Sequence, residues 1–236
     1  MKKYSSIMFK FVLLLLALLA TSFALSCTGA KKYAGGTSEE TNALAYRDVS
    51  KTIGPDGQSQ TALYFGKPGS YAMSAKDGVK FSAAAAATAF EISAWVKIDS
   101  LPPKSELPHN LIGKFIDDSS SLPVEFSLAI VNGACGTERP AFAFFLAEEN
   151  TISCEHAIVS KRLVQAGKWT FVGVRWDGRY LTLYQDGTAI AEKESIFAIL
   201  PFSESPVYFG KSQIPFAMDK LSLNARGKIS FNTEAP

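Results

Sequence analysis

WTFVGVRWDGRYLTLYQDGTAI, residues 169–190, holds two Asp-Gly pairs one short strand apart, Asp177-Gly178 and Asp186-Gly187. Alternation flanks both pairs. Val172, Val174 and Trp176 share one face, and Phe171, Gly173 and Arg175 share the other. Between the pairs, Leu181 and Leu183 oppose Tyr180, Thr182 and Tyr184. A period of two broken by Asp-Gly predicts a hairpin with a type I′ turn, because both central residues of that turn need positive φ. The stretch therefore predicts three consecutive antiparallel strands, and with them an all-β protein.

Further strands are expected at 62–65, 90–97, 111–115, 125–131, 141–146, 157–163, 207–210 and 218–223. The clearest is FEISAWVK, where Phe90, Ile92, Ala94 and Val96 alternate with Glu91, Ser93, Trp95 and Lys97. Turn residues stand between most of these segments, as at Asn132-Gly133 and Glu148-Glu149-Asn150. Many short strands with Gly and Pro between them, and no long helical period, predict a sandwich or barrel. The alanine run at 83–87 is too short for a stable helix of its own and reads as a connection. LPPKSELPHN, residues 101–110, reads as a stiff surface loop. From residue 61 to 224 there are about 165 residues, enough for one domain with a full core.

The ordered set ALYFGKPGSYAM (62–73), FEISAWVK (90–97), GKWTFVGVRWDGRYLTLYQDGTAIA (167–191), PVYFGKS (206–212) and MDKLSLNAR (218–226) resembles the laminin-G-like, concanavalin A-like jelly-roll domains. The resemblance implies two antiparallel sheets packed face to face, one with a concave outer face. It covers most of 62–226. Relatives often carry Asp or Asn after the Phe of the first strand, where Gly66-Lys67 stands here. Some members hold a structural calcium ion with acids near that strand and in the last one. Asp219 is the remaining candidate ligand, and calcium takes six to eight oxygens.

The N-terminus carries a different message. Lys2, Lys3 and Lys10 precede the apolar run FVLLLLALLA at 11–20, which is shorter than the roughly 20 apolar residues that span a bilayer. A cleaved export signal over residues 1–26 is expected. Ala24-Leu25-Ser26-Cys27 resembles the bacterial lipobox, with Cys27 as the lipid acceptor, although Ala24 replaces the usual Leu. The same residues also suit ordinary signal peptidase. Three cysteines are present. Cys135 and Cys154 flank one expected strand and can pair after export, which leaves Cys27 for acylation. Thr28 after the Cys leans toward the outer membrane or cell surface by resemblance to bacterial sorting patterns. Residues 27–60 read as a polar tether, in which 37–50 forms either a short helix or an edge strand. The sandwich follows at 61–226, and 227–236 is a C-terminal tail. Residues 1–26 carry three Lys and no acid, so their removal takes the formal charge from +2 to −1. Without a basic stripe, nucleic acid is not an expected partner.

Catalytic patterns are missing from the sequence. A two-carboxylate glycosidase site needs acids spaced along one strand face, and Glu39-Glu40, Asp117-Asp118 and Glu148-Glu149 all lie in tether or turn compositions. Neither a G-x-S-x-G elbow nor a phosphate loop is found, and of His109 and His156 only the second has ligand-type neighbours, Cys154 and Glu155, with Cys154 better used in a disulfide. Asp177 and Asp186 are a spaced acidic pair only in appearance, since each opens a turn. Recognition of a sugar ring by aromatic side chains with a few placed polar groups fits better. Trp95, Tyr180 and Tyr184 lie opposite the apolar strand faces, with Arg175 and Lys97 beside them, and are the candidate ligand contacts. Trp169 and Trp176 read as core or hairpin-support residues. The loops at 101–110, 117–121 and 133–140 are the other candidate surface. The expected function is a non-catalytic cell-surface lipoprotein whose module binds carbohydrate or glycoprotein. The alternatives are an envelope assembly lipoprotein contacting another protein, and a divergent glycosidase.

Overall fold

The computed structural model describes residues 40–42, 44–74, 89–115, 125–148, 151–195, 206–224 and 228–231. The expected signal, Cys27, the first part of the tether, the alanine run at 83–87 and the loop at 117–121 lie outside the described residues. In chain order the strands are β1 (Glu40–Asn42), β2 (Leu44–Arg47), β3 (Ser50–Thr52), β4 (Ala62–Phe65), β5 (Tyr71–Ser74), β6 (Phe90–Ile98), β7 (Ser105–Lys114) and β8 (Phe126–Asn132). A 3₁₀ turn, Ala134–Gly136, separates them from β9 (Ala141–Glu148), β10 (Thr151–Leu163), β11 (Trp169–Trp176), β12 (Tyr180–Gln185), β13 (Thr188–Glu194), β14 (Val207–Gly210), β15 (Phe216–Asn224) and β16 (Lys228–Phe231).

They form two sheets. The nine-stranded sheet runs β1-β16-β15-β6-β11-β12-β13, with β4 also on β15 and β3 on β4. The seven-stranded sheet runs β10-β9-β8-β7-β14-β5-β2. Pairing is antiparallel, apart from β1 with β16. This is the two-sheet jelly-roll sandwich that the strand pattern and the resemblance imply.

Alternation decides which side of each strand is buried. β6 turns Phe90, Ile92, Ala94, Val96 and Ile98 inward, and β11 turns Val172, Val174 and Trp176 inward. They meet Phe126, Leu128 and Ile130 of β8 and Phe142, Phe144 and Leu146 of β9 in one core. The Phe90 ring lies 5.6 Å from Phe144 and 6.0 Å from Trp176, joining the two layers. Each of the larger side chains among them contributes about 1.5–3 kcal/mol by leaving water. The outer side of the seven-stranded sheet is also apolar. Ala129, Val131, Ala141, Ala143, Phe145 and Ala157 form a second buried cluster there. Tyr71, Phe115 and Tyr208 form a third, with the Lys211 ammonium 4.4 Å from the Phe115 and Tyr208 ring centroids. The polar, solvent-facing sheet surface belongs to the nine-stranded sheet.

Several elements differ from the sequence expectation. Within the span read as tether, β2 and β3 pair with β5 and β4. The reason is that Leu44, Tyr46 and Val49 pack against the core. Residues 105–110 are not loop but the first half of β7, with Pro108 inside the register irregularity between Ser105 and His109, where a missing N–H is tolerated. β10 begins at Thr151, so Cys154 sits within a bulged strand rather than a loop. It is disulfide-bonded to Cys135 of the 3₁₀ turn, with Cα atoms 5.1 Å apart. β16 falls in the expected tail and pairs with β15.

Of the two Asp-Gly pairs, only the second is the two-residue turn with both φ positive (Asp186 +50°, Gly187 +75°). The first sits in a three-residue connection, Asp177 to Arg179, where only Gly178 has positive φ. There the Asp177 carboxylate accepts the backbone N–H groups of Arg179 and Tyr180, at 3.0 and 2.7 Å. Those bonds, with a smaller pull from Arg175, hold its pKa below the usual carboxylate value. Both aspartates shape turns, as the sequence suggests. On the flank where the two sheets' last strands approach, the Lys193 ammonium of β13 donates to the Glu155 and Ala157 carbonyls of β10.

Candidate functional site

The outer face of the nine-stranded sheet is built by strict pairing. Trp169 stands across from Lys97, Phe171 from Trp95, Gly173 from Ser93 and Arg175 from Glu91. On the other side of β11, Gly173 faces Tyr184 and Arg175 faces Thr182. Because the core takes the alternate residues, these rows lie on the outer face of the sheet, although Ser93, Gly173 and Thr182 are themselves buried by their neighbours.

Two halves result. At one end the Trp95 and Phe171 rings lie 5.7 Å apart and tilted by 58°, and the Lys97 ammonium lies 5.7 Å from the Trp169 ring. All four side chains are half-buried. At the other end stand the exposed Glu91 and Arg175. Between them is Gly173, which leaves the centre of the strand bare. A groove of about 190 Å³ lies here, lined among others by Glu91, Ser93, Phe171, Gly173, Arg175 and Tyr184. A glycine in a strand interior often marks a point of close approach by a ligand. Its backbone does not require glycine, since it is absent from the positive-φ set. A Cβ added there would meet nothing closer than 3.5 Å.

The candidate contacts named from the sequence are placed as follows. Arg175 and Tyr184 line the groove, and Trp95 backs its Phe171 wall. Tyr180 is on the same face but turns to Arg179, whose guanidinium lies 5.0 Å from its ring. Trp176 is fully buried, in line with the core reading, whereas Trp169 is on the outer face beside Lys97. Glu91, Ser93, Phe171 and Gly173 were not among the candidates. Their signal was the alternation itself, which puts all four on the side of Trp95 and Arg175. Among the described residues the groove is lined by one carboxylate, Glu91. His156 pairs with Glu148 at 2.8 Å, away from the groove.

Asp219 lies elsewhere, buried at the β15 bulge with 3% exposure. One Oδ accepts the Lys220 N–H at 2.7 Å. A Cβ on Gly54 would sit 2.2 Å from Thr61 Oγ1, 2.8 Å from Asp219 Oδ2 and 3.2 Å from Asp56 Oδ1. Three hard oxygens therefore surround the Gly54 backbone. Calcium takes such donors, with backbone carbonyls and water able to complete its six to eight. The competing cation is the Lys220 ammonium, 3.3 Å from Asp56. Among the described residues no three His, Cys, Asp or Glu side chains gather into a metal cluster.

A family model described as "Concanavalin A-like lectin/glucanases superfamily" matches residues 72–229. No match is found among curated proteins. Solved structures share the fold at low identity. The receptor binding domain of botulinum neurotoxin D is 14% identical with a TM-score of 0.57, over 81% of this chain and 46% of that one. The binding domain of paraclostridial mosquitocidal protein 1 is 13% identical with a TM-score of 0.55, over 79% and 44%. The binding domain of botulinum neurotoxin DC, in complex with SialylT, is 14% identical with a TM-score of 0.52, over 81% and 45%. The chain spans less than half the length of each of these structures.

Proposed function

This chain belongs to the concanavalin A-like lectin/glucanases superfamily, and we propose that it is a non-catalytic module binding carbohydrate or glycoprotein on the outer face of its nine-stranded sheet. The observation that carries the reading is the glycine-floored groove between an aromatic wall and a charged pair. A flat apolar wall with a few polar groups at its rim is what a sugar ring needs. Similar folds supply a supporting analogy: the binding domain of botulinum neurotoxin DC is in complex with SialylT in one structure and with rat synaptotagmin II in another. Among the described residues the groove is lined by one carboxylate, which favours binding over hydrolysis, because glycoside cleavage by the usual route uses two, about 5–10 Å apart.

Gly173→Val tests the site. Its Cβ has room, and valine suits a strand, so the fold is expected to keep or raise its melting temperature. The branched side chain fills the groove. On a glycan array the wild-type protein is expected to bind at least one glycan and the variant to lose it. A wild-type protein that binds none, or a variant that binds as well, sinks the proposal.

The same proposal includes export on the segment 1–26, lipid attachment at Cys27 and display at the outer membrane or cell surface. These rest on the sequence pattern. A fatty-acid probe that labels wild type and Cys27→Ala equally would end the lipoprotein reading. Structural calcium at Asp219, with Asp56 and Thr61, is the remaining part of the proposal and rests on the oxygen donors around Gly54.

A further inference from the structure

We infer that the groove takes a neutral oligosaccharide, more than one ring long, laid along β11 with its hydroxyls shared between Glu91 and Arg175. This rests on the sugar-binding reading and goes beyond it in charge and length.

Charge comes first. Glu91 and Arg175 are direct partners across β6 and β11, both exposed and both lining the groove. Among the described residues neither is used up in an ion pair or a side-chain hydrogen bond; Arg175 only exerts a through-space pull on the Asp177 carboxylate. One charge of each sign side by side leaves the groove's own lining close to neutral, with Lys97 outside it against the Trp169 ring. A carboxylate or sulfate on the ligand is attracted by Arg175 and repelled by Glu91 at comparable range. A neutral polyol meets no such conflict. Its hydroxyl protons go to the Glu91 oxygens, and its hydroxyl oxygens accept from the Arg175 guanidinium.

Length follows from the register. Phe171 and Arg175 are four residues apart on one strand, about 13 Å. The aromatic wall and the charged pair therefore stand at opposite ends of the groove, with Gly173 between them. A single sugar ring cannot touch both. A ring stacked against Phe171, backed by Trp95, leaves the next ring or two over Gly173 and at the charged pair.

The test is calorimetric titration of the purified protein with neutral oligosaccharides of one to four rings, such as xylose, mannose and arabinose series. Oligogalacturonate and sialyllactose serve as acidic probes. Affinity for the preferred neutral series is expected to rise at least about tenfold from one ring to three. Glu91→Gln and Arg175→Gln, both surface changes that leave the melting temperature in place, are each expected to weaken binding by about tenfold. If an acidic probe binds best and Glu91→Gln tightens it, the neutral-ligand inference is overturned while sugar binding stands. If a monosaccharide binds as tightly as a trisaccharide, the length is wrong. If no saccharide of either kind binds, the sugar-binding reading falls together with the inference.

Discussion

The Asp186 carboxylate accepts the backbone N–H of Phe171 at 3.0 Å, and the Asp186 N–H donates to the Phe171 carbonyl at 2.8 Å. The turn after β12 is thereby tied to the strand that carries the groove wall. Asp186 also holds φ at +50°, which Asp tolerates better than Ala does. Asp186→Ala is expected to cost about 1–2 kcal/mol in urea unfolding, from the lost bond and the strained backbone. Asp186→Asn keeps an acceptor and should lose less. Equal losses in the two variants would rule out the hydrogen bond as the cause.

Cys135 and Cys154 close a loop with a sequence separation of 19 residues. Chain-entropy reasoning gives such a link about 3 kcal/mol. The double variant Cys135→Ser/Cys154→Ser should melt well below the wild type, and reduction of the wild type should produce the same loss. A melting temperature unmoved by reductant contradicts this.

Lys114 is fully buried and lies 3.0 Å from Glu125. Burial pushes the lysine pKa down, while Glu125 opposes the shift. Glu125→Gln takes a carboxylate from beside a buried ammonium and should destabilise by about 3 kcal/mol. Lys114→Met/Glu125→Leu should cost far less, because no charge is left behind. A double variant as damaged as the single one would show that shape rather than charge governs this position.

Burial also lowers the pKa of His109, which has 8% exposure. The unfolded chain takes up this proton near pH 6.5, as a free histidine does, and the folded chain only at lower pH. In that window the unfolded state binds more protons, so stability rises with pH and is lost as pH falls below about 6.5. The drop in melting temperature between neutral and mildly acidic buffer should shrink in His109→Phe. An unchanged drop assigns the acid sensitivity elsewhere.

Calcium is expected to raise the melting temperature relative to the same protein in EDTA, since a ligand of the folded state alone stabilises it. Asp219→Asn should abolish the increment. Identical melting with calcium and with EDTA would remove the ion from the proposal.

The strands of the core were readable because each has one apolar face of period two. Phe90 to Val96 and Val172 to Trp176 needed nothing but that rule. β10 was harder, since its first half, Thr151 to His156, is polar and bulged and is held by a disulfide partner far away in sequence. The first half of β7 hid behind Pro108 and the two prolines, Pro102 and Pro103, ahead of the strand. The same limit applied to the site. Trp95 and Arg175 stood out by residue type, whereas Gly173 offers no side chain to notice. Its meaning came from its neighbours in register, Ser93 and Tyr184, which belong to other strands. Trp169, whose residue type reads as core or hairpin support, stands on the outer face because its register partner is Lys97.

Lys193 has a consequence for how copies of the protein behave at high density. An open sheet edge is a template for another chain's strand, and the route to fibrils starts there. β13 and β10 are the edges that end the two sheets on one flank. The first is armed with Glu192, Lys193 and Glu194, all exposed. The ammonium of the second of these occupies backbone acceptors on β10. One side chain thus discourages a foreign strand at both edges, which keeps crowded neighbours from zipping together.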